Sequence, residues 1–205
     1  MKIIKRKDPR ILAPFKDLVL LPVIIRVNKF TEAAATDFHN SFEDAHNTGQ
    51  PVVPVIVDSY GGEIYSLLSM ISEIENSTLP VVTIGMGKCM SCGSILVAYG
   101  SPGMRYIAED TTVMIHDVSL GSRGKVEDVK ASIKEGERLK SLIFSKMAVR
   151  CGHKDKDYFI KIMESKRNVD WYLSARDSKK HKVVDHIGVP NLEIDVSVNV
   201  ELVFS

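Results

Sequence analysis

The chain has no apolar run long enough to cross a bilayer. Its best run, residues 18–25 (LVLLPVII), contains Pro22 and falls far short of the roughly 20 residues a helical span needs. The basic N-terminus, MKIIKRKDPRILAPF, is not followed by an apolar region, because Asp8, Pro9 and Arg10 interrupt it. A secretory signal is therefore not expected. An excess of one charge is missing too. The 27 Lys and Arg are matched by 26 Asp and Glu, interspersed, for a net charge of +1. That excludes the basic footprint of a nucleic-acid binder. Cysteine is scarce and odd in number: Cys89, Cys92 and Cys151. Cys89 and Cys92 form one C-x-x-C, with no second pair or nearby histidines to complete a zinc site. They read as small packing residues in a reducing compartment, and a disulfide between them would distort the segment they flank. Repeats and low-complexity linkers are absent. A soluble, cytoplasmic protein without a metal centre is expected.

What is present is a globular composition, 44% hydrophobic and 26% charged, over 205 residues. That suits one domain able to bury a sizeable core. Residues 1–17, broken by Pro9 and Pro14, read as an arm. Residues 18–27 read as a buried strand. Residues 31–48 read as a helix capped by Thr31 with Glu32 in its first turn. The β-branched run PVVPVIVDS (51–59) is a second strand. Gly61-Gly62 opens a helix with apolar residues at 64, 67, 68, 71 and 74, which is helical spacing. Strand 80–87, helix 94–100, a strand with a turn at 104–110 and strand 111–116 follow. Alternating strands and helices predict an α/β fold with a mainly parallel sheet. In such sheets sites gather at the carboxyl ends of strands, where Ser59–Gly62, Gly87–Ser91 and His116 all fall. Residues 125–150 carry the longest helical pattern, roughly 39 Å at 1.5 Å per residue. Its stripe is Val126, Val129, Ile133, Leu139, Leu142, Ile143 and Met147. It reads either as a core helix or as one that projects and pairs with another subunit. Residues 192–204 alternate apolar and polar as a half-exposed strand does, and would need a partner strand.

The chemistry centres on Ser91, in GKCMSCGSILVAYG, between a strand and a helix. A serine hydroxyl needs a base, and the base needs a third group to hold its tautomer. His116, closing TTVMIH, and Asp170, before Trp171-Tyr172, supply those types. Singly, each has a plain explanation: a helix cap, a structural histidine, a turn residue. Together with an anion site they describe a serine hydrolase. That anion site is Gly61-Gly62, where backbone N–H groups can approach closely. The amide of Cys92, beside the nucleophile, is a second donor.

DSYGGEIYSLLSMISEI, GKCMSCGSILVAYGSPGMRYIAEDTTVMIH and NVDWYLSARDSKKHKVVDHIG resemble successive blocks of the proteolytic subunit of the Clp protease, over about residues 20–190. The resemblance implies a crotonase-like α/β domain over 18–190, with a handle helix at about 125–150 and an extra C-terminal strand at 191–205. It implies Ser91 as nucleophile, His116 as general base and acid, and Asp170 orienting His116. The backbone amides of Gly62 and Cys92 would form the oxyanion hole. Gly61 and the glycine-containing strand Leu120, Gly121, Ser122, Arg123 and Gly124 would bind the substrate by β-addition. It implies a homo-oligomer of stacked heptameric rings, polypeptide substrates and no cofactor. ATP would enter only through a separate AAA+ unfoldase. Departures are visible. Tyr60 stands where the family usually has proline, Val169 where it often has arginine, and residues 1–17 do not resemble the axial segment. They suggest a divergent member of the kind a phage encodes, acting in the host cytoplasm.

Other readings keep or change the chemistry. A related peptidase could mature viral capsid proteins without an unfoldase. A non-catalytic ring subunit would usually lack part of the triad. An acyl-CoA enzyme of the crotonase type would not need Ser91, His116 and Asp170 together.

Overall fold

The computed structural model describes residues 21–119 and 121–191. Their sheet has seven strands. Its main path runs β1 (Ile25–Val27), β2 (Val53–Ser59), β3 (Val81–Met90), β4 (Arg105–Ile107) and β7 (His186–Ile187), all parallel neighbours. The mainly parallel α/β architecture expected from the alternation is what forms. One face of β2 shows why. Val53, Val55, Val57 and Ser59 are fully buried, while Ile56 and Asp58 on the other face are more open. Helices cover the first face. These are α1 (Glu32–Asn47), α2 (Ile64–Asn76) and α3 (Cys92–Ala98). The Thr31 side chain caps α1 by accepting from the Ala34 N–H, satisfying an orphan donor of the first turn. Helix α2 buries Leu67, Met70, Ile71 and Ile74 along one stripe.

Three boundaries depart from expectation. The strand expected over 18–27 is β1 alone within the described residues. Pro22 has no N–H for a ladder, and Val23 is satisfied by a side chain instead: its N–H donates to Gln50 Oε1 (2.8 Å) and its carbonyl accepts from Gln50 Nε2 (3.1 Å). Gly61 and Gly62 do not open α2, which starts at Ile64. They are a lead-in with φ of 105° and 152°, and Gly62 makes a parallel bridge with Phe30. Strand β3 does not stop at Gly87. A φ of 67° there lets the chain jog and continue to Met90.

That continuation positions the site. The first half of β3 pairs with β4. Its last three residues, Lys88, Cys89 and Met90, pair with β5 (Thr112–Ile115). β6 (Trp171–Leu173) then pairs antiparallel with β5. The result is a second wing beside the main sheet. Three elements after residue 150, α5 (Tyr158–Ser165), β6 and α6 (Ala175–Lys180), are too short for periodicity to announce. A partly buried ion pair pins β7 to β4, with Arg105 Nη2 2.6 Å and Nε 2.9 Å from the Asp185 carboxylate.

Helix α4 (Val126–Arg150) packs on the core over part of its length, as the first reading of its stripe expects. Leu139, Ile143, Phe144, Met147 and Ala148 are buried in the domain, whereas Val126 and Ile133 are 69% and 51% exposed. Residues 1–17, Leu120 and the strand expected at 192–204 lie outside the described residues.

Candidate active site

Ser91 occupies the single residue between β3 and α3. Its backbone, φ 53° and ψ −121°, lies in a region L-residues rarely adopt. Such a conformation costs about 1–3 kcal/mol and persists only where its surroundings enforce it. Here they do. The Ser91 N–H donates to Met114 O (2.8 Å), and the Ser91 carbonyl accepts from Ser94 N (2.9 Å) and Ser94 Oγ (2.6 Å). Gly61 lies against the turn. A Cβ there would stand 2.6 Å from Ser91 Cβ and 3.1 Å from its Oγ. At Gly62 a Cβ would collide with the Phe30 carbonyl. Both glycines are therefore required by close approach as well as by positive φ.

His116 is the first residue past β5, half-buried, and it faces the same cleft as Ser91. The cleft holds about 370 Å³ and is walled by Ile64, Tyr65, Ile95, Leu139, Ile143 and Phe144. Sequence reasoning did not foresee these walls, because they come from three helices far apart in the chain. Asp170 precedes β6. The ladder pairs Ile115 with Trp171, so the next position outward sets His116 opposite Asp170. Asp170 is exposed. Among the described residues, no hydrogen bond joins Ser91, His116 and Asp170.

Among the described residues, two backbone N–H groups beside Ser91 have no acceptor. Gly61 N–H donates to Ser59 Oγ (3.0 Å) and Glu63 N–H to Phe30 O (2.9 Å), and Gly62 N–H between them has no acceptor among the described residues. Cys92 is the first residue of α3, where an N–H has no intrahelical acceptor. Gly121, Ser122, Arg123 and Gly124 are exposed and lie outside any strand, so the expected substrate strand is not formed in the single chain.

The cysteines are all free and buried. Cys89 Sγ donates to Val57 O and Cys92 Sγ to Gly62 O, so the two thiols of the C-x-x-C have different partners. Burial pushes the Cys89 thiol up to about 12 and raises that of Cys92. Among the described residues, no group of three His, Cys, Asp or Glu could hold a metal, and no helix is long and apolar enough to cross a membrane.

The site is thus a strained serine turn at the end of a parallel strand of an α/β fold, with a histidine just past the neighbouring strand β5 in the same cleft. The family model for the Clp protease matches residues 26–191, so the chain belongs to the Clp protease family and has its fold. It is similar to the ATP-dependent Clp protease proteolytic subunit 2 of Frankia casuarinae, at 27% identity over 135 residues. That match covers 66% of this chain and 60% of the relative's length.

Proposed function

We propose that the protein is a serine endopeptidase acting on extended or unfolded polypeptide. The single observation that carries this is the strained Ser91 turn facing one cleft with His116. Ser91 Oγ attacks the peptide carbonyl while His116 takes its proton. The tetrahedral oxyanion is received by the N–H groups of Gly62 and Cys92, donors aimed at charge that develops only in the transition state. His116 then protonates the leaving amine, and water activated at the same histidine hydrolyses the acyl-enzyme. Asp170 orients His116 from across the β5–β6 ladder. The apolar cleft takes the side chain on the acyl side of the bond, which favours Leu, Met or Phe there. No metal or cofactor takes part. The subunits assemble into stacked rings through α4, and a separate AAA+ unfoldase feeds the chamber; the similar Frankia protein is named as ATP-dependent. An extended substrate would complete a strand with residues 121–124.

Labelling with a fluorophosphonate probe tests this. Wild-type protein should be modified at one site per chain, and neither Ser91→Ala nor His116→Ala should be. Modification that persists in Ser91→Ala sinks the assignment. One observation favours a second reading. The three triad residues are not hydrogen-bonded to each other in the single chain, as in a subunit without activity of its own. That reading predicts no labelling of wild type at any assembly size.

A further inference from the structure

Asp117, the residue after His116, also faces the cleft. Both its carboxylate oxygens are engaged. Oδ1 accepts from the Val118 N–H at 2.7 Å and Oδ2 from Lys140 Nζ at 2.6 Å. The Lys140 and Asp117 side chains keep only 20% and 31% of their exposure. A pair so placed is screened less than a fully exposed one. Lys140 stands on α4 beside Leu139 and about one turn before Ile143 and Phe144, which wall the cleft. The ion pair therefore ties the exit of the histidine strand to the part of α4 that shapes the pocket. Among the described residues, no hydrogen bond holds the His116 ring itself. Its place is set by the backbone on either side. Before it comes the β5–β6 ladder at Ile115 and Trp171, and after it comes Asp117.

We infer that Asp117 and Lys140 are positioning residues for His116, an ion pair that locks the histidine's exit backbone to the base of the handle helix. This rests on the peptidase reading. Asp117 is assigned no part in the proton transfer. Its effect is geometric. Proton transfer from Ser91 requires the imidazole within hydrogen-bond reach, and small misplacements of a catalytic group carry large costs in rate. The link also makes the base of α4 and the general base move together.

The test uses the full chain in its native assembly, with Asp117→Asn, Lys140→Met and Lys140→Arg. The readouts are kcat and KM on a fluorogenic peptide and the rate of fluorophosphonate modification of Ser91. Assembly mass and thermal midpoint serve as controls. D117N and K140M should lower kcat about tenfold or more with KM within about twofold, and slow Ser91 modification in parallel. K140R should keep most of the wild-type rate. The inference is overturned if kcat stays within about twofold of wild type in both variants, or falls only in step with lost assembly. Equal loss in K140R and K140M also overturns it, since the ion pair would then not be what matters. Wild type that neither cleaves nor labels sinks the peptidase reading and this inference with it, whereas the variant outcomes above bear on the ion pair alone.

Discussion

Gly61 and Ser91 have to be considered together. The unusual φ of Ser91 and the missing Cβ of Gly61 are two sides of one contact, because a side chain at 61 would stand where Ser91 Cβ and Oγ already are. Gly61→Ala should therefore abolish fluorophosphonate labelling and destabilise the fold by roughly 1–3 kcal/mol, read as a lowered midpoint in denaturant. A variant that labels normally would mean the turn can relax. The thiols make a second prediction at this scale. Burial holds Cys89 and Cys151 near 12, so little thiolate exists at neutral pH. Native protein should react slowly with a thiol reagent, and all three cysteines should appear on denaturation. Fast reaction of the native protein would show that the core opens readily. Ser91, His116 and Asp170 were legible in the sequence as residue types with suitable spacing. Asp117 was not, because an aspartate after a histidine carries no signal until its partner on a distant helix is known.

Among the elements, β3 does most to build the site. Ten residues long, it serves two sets of partners. It pairs with β4 before Gly87 and with β5 after it, and the second pairing brings His116 alongside Ser91. The sequence shows a β-branched run and a glycine, and a glycine there reads as a strand end. Only the ladder shows that it is a jog. At the far edge, β7 is two residues long and relies on Arg105 and Asp185. Burial pushes the Asp185 carboxyl up, but the hydrogen bonds and charge of Arg105 outweigh this and leave it below the usual aspartate range. A carboxyl depressed in the folded state contributes stability that is present above its unfolded pKa, about 3.9. That stability is lost as pH falls through the folded value. Asp185→Asn should thus cost about 3 kcal/mol at neutral pH and much less in strong acid. A cost that does not shrink in acid would show that packing, not charge, is what the aspartate supplies.

For the whole molecule, the two ends of α4 do different work. The C-terminal half belongs to the core, while Val126 and Ile133 present apolar surface to solvent in the single chain. Such exposed apolar side chains are where the proposed ring assembly would bury surface. Ile133→Glu should reduce the assembly mass in light scattering while leaving the circular dichroism of the chain intact. An unchanged mass would remove this part of α4 from the interface. Residues 121–124, next to the start of α4, are exposed and in no strand, as the proposed binding of an extended substrate there would require.

The fold class was determined by the sequence itself, because alternating apolar periods dictate alternating strands and helices whatever their neighbours. The serine's place between a strand and a helix was legible in the same way, but its strained backbone was not, because contacts with Met114 and Gly61 enforce it. Tertiary structure alone decided the rest. It placed His116 in the cleft through a ladder beyond Gly87, set Asp170 across from it by register, and built the walls from α2, α3 and α4. It also joined Asp117 to Lys140. Those relations are between residues distant in the chain, and their energies exist only once the backbone has brought the partners within a few ångströms.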